Sequence, residues 1–192
     1  HVNRRLHEEN WVDPDGNRLT EAVVNMYDLA AYVVKPACKK KRCSLVELMA
    51  KAAQPPKWFV SHWWGTPWAD THHCLEQHAR DRRLELNGTV YWVSAFALSQ
   101  WQLSSTIAVD QSESVFYRAM ERCEGTIAVI DRSGEYYSRT WCMYEAGLAI
   151  SRSDHGAYLY EMYIAHPHKV AGELLPMHDD DDEGGDPSAC RF

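Results

Sequence analysis

The chain has 192 residues, of which 45% are hydrophobic and 24% are charged, and its formal net charge is −7 at pH 7. This length suits one domain with an appendage and is too short for two full domains, and the negative charge argues against a dedicated nucleic-acid-binding protein. No apolar run approaches the roughly 20 residues that cross a bilayer, and the six cysteines form no CxxC pair, so we expect reduced thiols in a cytoplasmic protein without a membrane segment.

The first part of the chain combines a polar stretch with two predicted helices. Residues 1–20 show no regular periodicity, and we expect them to form an arm. Apolar residues recur with helical spacing over Glu21–Val34, and Pro36 should end this helix because a proline disfavours helical backbone at the residue before it. A second helix is predicted over Ser44–Ala53, which begins with a serine and carries a glutamate three residues later, the pattern of a capping box.

Strands and helices alternate in the rest of the chain. The predicted strands are Trp58–Ser61, Thr89–Phe96, Thr126–Ile130 and Ala157–Ala165. The predicted helices are Asp70–Arg83, Ser114–Cys123 and a helix that begins near Thr140. This alternation indicates βαβ units with right-handed crossovers. We therefore predict a flavodoxin-like, three-layer α/β fold, with a parallel sheet in the order 2-1-3-4 and a possible fifth strand.

The chain then divides into three predicted parts. Residues 1–55 form an N-terminal arm and helical extension, and residues 56–170 form the α/β domain. Residues 171–192 contain the acidic run Asp179–Glu183, and we expect them to be a disordered tail.

The strand order also predicts where a ligand binds. Ligands of open parallel sheets lie beyond the carboxyl ends of the strands, where the strand order reverses, which here is between strands one and three. Strand one runs into Ser61–Trp64, and the helix after strand three carries Trp141 and Glu145 on one face at i and i+4. A separate row on the same helix should pack on the sheet: Cys142, Ala146 and Ala149.

Several stretches resemble the Toll/interleukin-receptor (TIR) family, over roughly Trp58–Ala165. FVSH at Phe59–His62, SVFYRAMERCEGTIAVI at Ser114–Ile130 and SRTWCMYEAGLA at Ser138–Ala149 follow one another in the order of that family. WCMYE matches the WCxxE motif that opens the helix after the third strand. This motif and its position are the most specific part of the resemblance.

The resemblance implies a fold and an activity. TIR domains are flavodoxin-like, and many of them cleave NAD to nicotinamide and ADP-ribose or a cyclic form of it, with the glutamate of the motif as the catalytic residue. Carried over, this implies that Glu145 is catalytic and that Trp141 is a wall of the nicotinamide pocket. NAD is then the substrate, and no other cofactor and no metal is implied. Further residues expected to contact NAD are Ser61, His62, Trp63, Trp64 and Phe96.

The chemistry is consistent with these residue types. Breaking the bond between ribose and a cationic nicotinamide develops oxocarbenium character on the sugar, which a fixed carboxylate stabilises. Nicotinamide leaves without protonation, so one glutamate suffices. Flat aromatic side chains such as Trp63, Trp64 and Trp141 attract the pyridinium ring by about 0.5 to 2 kcal/mol.

Other members of the family only assemble as signalling adaptors, so the alternative function is a non-catalytic assembly module. The loop Ala97–Gln111 is rich in Gln and Ser and carries Trp101, whereas relatives usually have Asp, Gly and Pro there. An aromatic residue on such a loop is a good interface anchor, and we expect self-association through residues 97–111.

Each candidate residue also has a purely structural interpretation. Glu145 can complement the positive end of its helix or pair with Arg139, and the tryptophans can pack against the N-terminal extension. A zinc site is a further alternative, because four potential ligands crowd one helix: His72, His73, Cys74 and His78. Only the last two of these share a helix face, so we expect no metal.

Overall fold

The computed structural model describes residues 2–85, 88–102, 114–154 and 156–165. In this part of the chain four strands form an all-parallel sheet in the order β2-β1-β3-β4. The strands are β1 Trp58–His62, β2 Tyr91–Trp92, β3 Gly125–Ile130 and β4 Leu159–Ile164. The flavodoxin-like α/β fold and the strand order predicted from the sequence are confirmed.

Helices cover both faces of the sheet. In chain order they are α1 Val2–Glu9, α2 Met26–Leu29, a π-helical turn Ala30–Val34, α3 Lys35–Cys38, α4 Leu45–Met49, α5 Trp68–Asp81, α6 Ser94–Ala97, α7 Val115–Glu121, a 3-10 turn Glu135–Ser138 and α8 Thr140–Ser153. Side chains alternate along a strand, so Trp58 and Val60 pack with α5 and the N-terminal segment, whereas Phe59 packs with α7 and α8. The result is the predicted three-layer arrangement.

The N-terminal residues belong to the main core, and the expectation of an arm without regular structure is wrong. Val2–Glu9 is helical, and Leu6 and Trp11 are 1% exposed within the same hydrophobic cluster as β1. The Trp11 ring stacks on Tyr32 at 4.9 Å between centroids. A helix of two turns with a single buried leucine has too few apolar positions to show a period, so tertiary contacts decide its structure.

The predicted helix end at Pro36 is also wrong, because helical backbone runs from Met26 to Cys38. A proline lacks an amide hydrogen and its ring clashes with the carbonyl four residues earlier, here that of Tyr32. The π-helical turn widens the helix at this point, and the Arg5 guanidinium donates to the Tyr32 carbonyl oxygen at 3.1 Å. A residue of α1 thus satisfies an acceptor that the proline leaves open.

Strand β2 is much shorter than the predicted Thr89–Phe96, because the chain turns into α6 after Val93. Ala95 is fully buried in this turn, and the Ser94 hydroxyl accepts a hydrogen bond from the Trp64 indole at 3.2 Å. Contacts with the loop after β1 therefore override the strand propensity of this stretch.

Two local predictions are confirmed. Ser44 and Glu47 form the expected capping box at the start of α4, although the helix ends at Met49. The predicted row on α8 is buried against the sheet: Cys142, Ala146 and Ala149.

In the described part of the chain no helix is long and apolar enough to cross a membrane. The cysteines described there are free thiols: Cys38, Cys43, Cys74, Cys123 and Cys142. Three predictions lie outside the described residues: most of the association loop (103–111), a fifth strand after residue 165, and the acidic tail 171–192.

Candidate active site

A cavity of about 530 Å³ opens at the carboxyl ends of β1 and β3, where the strand order reverses. This volume lies in the range of small-molecule sites, about 300 to 1,000 Å³. Five of the predicted site residues line it: His62, Trp63, Trp64, Trp141 and Glu145.

Glu145 is the acidic residue among the described residues that line the cavity. Its side chain is only 7% exposed, and its Oε2 accepts a hydrogen bond of 2.6 Å from the Ser61 hydroxyl. Burial raises the pKa of Glu145 to about 8, and the hydrogen bond from Ser61 opposes this rise. The carboxyl group is therefore mostly protonated at neutral pH in the empty cavity, and a cation that enters the cavity favours its ionised form.

Ser61 lies beneath the cavity and positions this carboxyl group. Its side chain is fully buried, and its Oγ is also 2.9 Å from the Tyr136 hydroxyl. Tyr136 in turn is held by its backbone, because its amide donates to Asp131 Oδ1 at 2.7 Å. Strand β1, the turn after β3 and helix α8 thus meet in one hydrogen-bonded group that orients Glu145.

The structural interpretations of Glu145 do not fit this geometry. Arg139 pairs with Glu135, whose Oε1 is 3.3 Å from the guanidinium, and not with Glu145. Glu145 is the sixth residue of α8, beyond the first turn in which a carboxylate complements the helix dipole. A buried carboxyl group with a raised pKa beside a cavity is typical of a functional site.

His62 ends β1 and is 6% exposed, and it lines the cavity. Both of its ring nitrogens are buried without a hydrogen-bond partner among the described residues. Burial lowers the pKa of His62 to about 4, so the imidazole is neutral at pH 7. Buried polar atoms are normally paired, and an unpaired imidazole at a cavity is suited to bind a ligand.

Trp63 and Arg139 form a cationic part of the cavity wall. The guanidinium of Arg139 lies 4.9 Å from the centroid of the Trp63 ring, a cation-π contact. The chain turns tightly below this ring at Gly65, where a Cβ atom would lie 2.3 Å from Trp63 Cζ2. The absence of a side chain at this position therefore allows the tryptophan to fold back over the loop.

Trp141 is 50% exposed, and its ring stacks on Phe116 of α7 at 5.6 Å between centroids. Both rings line the cavity. Helix α8 thus has the two roles expected from its sequence: one face packs on the sheet, and Trp141 and Glu145 contribute to the cavity.

Trp64 lines the cavity as well and contacts Tyr27 edge to face, with 5.4 Å between ring centroids. Phe96, which we expected to contact the ligand, is absent from the lining residues. It packs instead in the core, edge to face with Trp68 at 5.5 Å. The early end of β2 turns this side chain away from the cavity.

Several described residues of the site were not predicted, and four of them matter for its chemistry. Tyr27, Phe116 and Arg139 line the cavity, and Tyr136 holds Ser61. Tyr27 and Phe116 fit the apolar faces of predicted helices, and a period alone does not distinguish an aromatic residue in the core from one at a cavity. Arg139 and Tyr136 lie close in sequence to WCMYE, and this closeness to Glu145 is the signal that the sequence offers for them.

The histidine-rich helix gives no metal site among the described residues, in which no group of three or more His, Cys, Asp or Glu side chains could hold an ion. His72 and His73 face Glu76 at the surface, with nitrogen-to-oxygen distances of 3.8 and 4.0 Å. Cys74 and His78 are buried on the opposite side of α5.

Comparison of the chain with family models, with curated proteins and with solved structures finds no match.

Proposed function

We propose that the protein is a TIR-like NAD glycohydrolase or cyclase, which cleaves the bond between nicotinamide and ribose. The observation that carries this proposal is Glu145: a buried carboxyl group, oriented by Ser61, in an aromatic cavity at the strand ends. The resemblance of WCMYE to the WCxxE motif supports the same assignment of the glutamate.

The reaction requires one bond to break and one to form. The bond between ribose C1′ and the nicotinamide nitrogen breaks, and its electron pair neutralises the pyridinium, so nicotinamide leaves without a proton. Glu145, in its ionised form, faces the positive charge that develops on the ribose. Water then forms the new bond to C1′ and passes one proton to the Glu145 carboxylate, or, in a cyclase, a ring nitrogen of the same molecule forms this bond.

The raised pKa of Glu145 fits this reaction. Without a bound cation, Glu145 keeps its proton, because a buried carboxylate would cost desolvation free energy. When the cationic nicotinamide ring enters the cavity, its positive charge compensates for a negative charge on Glu145. Trp141, which is half exposed, supplies a flat face for the ring. Glu145 thus ionises when the substrate binds, and the resulting negative charge is then available to stabilise the transition state.

The test is the release of nicotinamide from NAD by the purified protein and by its Glu145→Gln variant. Glutamine keeps the size and the hydrogen bond to Ser61 and removes the charge. Removal of one preorganised stabilising group costs about 100- to 1,000-fold in rate, and we expect a loss of that size with little change in NAD affinity.

The matched control is Glu76→Gln, the same substitution at a half-exposed position of α5 outside the cavity lining. It should leave the rate unchanged. Equal rates for the wild type and Glu145→Gln at equal folded concentration would refute the catalytic role. A folded wild type that releases no nicotinamide would refute the proposal and favour the assembly module.

A further inference from the structure

The N-terminal segment contributes an aromatic ring to the cavity. Tyr27 lies in the first turn of α2, lines the cavity and is 56% exposed. Its ring contacts Trp64, which follows β1, at an interplanar angle of 61°. An exposed aromatic side chain at a cavity mouth provides a face for a flat ligand.

Backbone hydrogen bonds of the residues around Tyr27 fix its position in the chain. The Met26 amide donates to the Trp64 carbonyl at 2.9 Å, and the Trp68 amide donates to the Val24 carbonyl at 2.8 Å. Asn25 caps the helix and accepts hydrogen bonds from the Tyr27 and Asp28 amides. Backbone hydrogen bonds therefore join the segment to the loop after β1 beside Tyr27, and a ring on a backbone fixed in this way loses less entropy when a ligand stacks on it.

The cavity thus has two aromatic pairs on different elements. One pair is Phe116 and Trp141, beside Glu145, and the other is Tyr27 and Trp64, which lie on the N-terminal segment and the β1 loop. The guanidinium of Arg139 lines the same cavity and is suited to a phosphate group. Two flat sites and one cation match a ligand with two ring systems joined by phosphates.

We propose that Tyr27 and Trp64 form a second base site, which binds the adenine ring of the dinucleotide while nicotinamide occupies the site beside Trp141. This inference rests on the proposed function, because it assigns the second ring of the proposed substrate. It makes the N-terminal segment part of the substrate site, although in the sequence this segment precedes the α/β domain.

The test uses two half-substrates as probes: AMP, which carries adenine, and nicotinamide mononucleotide, which carries the other ring. Their dissociation constants are measured by calorimetry for the wild type and for Tyr27→Ala, Tyr27→Phe and Val23→Ala. Val23→Ala is the matched control, because Val23 is an exposed apolar residue of the same segment outside the cavity lining.

Loss of one stacking partner weakens base binding by roughly tenfold, so Tyr27→Ala should raise the dissociation constants of AMP and NAD by about that factor. Nicotinamide mononucleotide should bind unchanged, Tyr27→Phe should bind AMP like the wild type, and Val23→Ala should have no effect. Circular dichroism checks that each variant is folded.

The outcomes separate the two proposals. AMP binding that is absent from the wild type, or unaffected by Tyr27→Ala, would overturn the second base site even if NAD is cleaved. A Tyr27 effect on nicotinamide mononucleotide alone would overturn it as well. Tyr27-dependent AMP binding in a protein that releases no nicotinamide would support the site and refute the hydrolase.

Discussion

Two buried histidines of this protein have the same depressed pKa and different surroundings. For both His62 and His78, burial lowers the pKa to about 4. His78 Nδ1 is 2.9 Å from the Tyr91 hydroxyl, and its ring packs on Trp58 at 4.3 Å, whereas its Nε2 has no hydrogen-bond partner among the described residues. His62 has no hydrogen-bond partner among the described residues and lines the cavity.

The difference shows that burial alone does not distinguish a histidine of the core from a histidine of a binding site. A desolvated histidine that packs among aromatic rings and has one ring nitrogen hydrogen-bonded to a neighbouring side chain is part of the core, although its other nitrogen is unpaired. A desolvated histidine with both nitrogens unpaired beside a cavity retains binding capacity for a ligand.

Acid should destabilise the protein partly through His62. Its pKa is about 4 when folded and near 6.5 when unfolded, so the unfolded chain binds more protons in this interval and stability is lost as pH falls through it. The full contribution is about 3 kcal/mol. Urea unfolding of the wild type and of His62→Leu between pH 4 and 6.5 measures it, and the variant should lose stability less steeply. Identical slopes would mean that His62 is solvated and the contrast with His78 is false.

Alkaline pH should destabilise the protein through Glu145, which shares the cavity with His62. Its pKa is raised to about 8, so the folded state holds a proton that the unfolded chain has released, and stability falls as pH rises toward 8. Histidines still release protons from the unfolded chain just above pH 6.5, so the glutamate is isolated by the difference between the wild type and Glu145→Gln, about 2 kcal/mol between pH 6.5 and 8. Urea unfolding of Glu145→Gln should show no fall in stability there, and a fall as steep as that of the wild type would contradict the raised pKa.

At pH 7, substitution of leucine for each histidine should affect a different property: the stability of the fold for His78 and the affinity for NAD for His62. His78→Leu breaks the hydrogen bond to Tyr91 and should cost about 1 to 2 kcal/mol of unfolding free energy, with NAD affinity unchanged. His62→Leu removes two unpaired nitrogens and should change stability by less than this, while it weakens NAD binding. Denaturation and NAD titration of both variants check the pattern, and the opposite assignment of effects would break the comparison.

Trp141→Ala should have the smallest effect on stability, because half of the side chain is exposed. If the proposed cation-π contact between Trp141 and nicotinamide forms, loss of the indole should weaken NAD binding by about 1 kcal/mol, roughly fivefold. Titration with NAD and with AMP distinguishes this role from that of Tyr27, since AMP binding should not change. Equal weakening of both ligands would show that the two aromatic pairs are not separate sites.

Much of the fold could be read from the sequence because its signals are local. Short apolar runs that alternate with helical periods indicate parallel strands with right-handed crossovers, and the flavodoxin-like arrangement of such units has the order 2-1-3-4 that the structure shows. The i and i+4 spacing of Trp141 and Glu145 similarly placed both at the cavity, since helix geometry determines which residues share a face.

Other features had no local signal. The hydrogen bond between Ser61 and Glu145 joins residues 84 positions apart, and the carbonyl that Pro36 leaves open is satisfied by Arg5, far from it in sequence. Tyr27 fits a helical apolar period as well as any core residue, and only the hydrogen bonds of its neighbours to the β1 loop place it at the cavity.

The sequence by itself therefore determined the sheet, its order and the end at which the site lies, because periodicity and chain connectivity are properties of neighbouring residues. Only the tertiary structure decided which polar groups are buried, which of them have partners, and that the N-terminal segment forms part of the cavity. Burial and hydrogen bonding depend on groups brought together from distant parts of the chain, and these contacts raise the pKa of Glu145 and leave His62 unpaired.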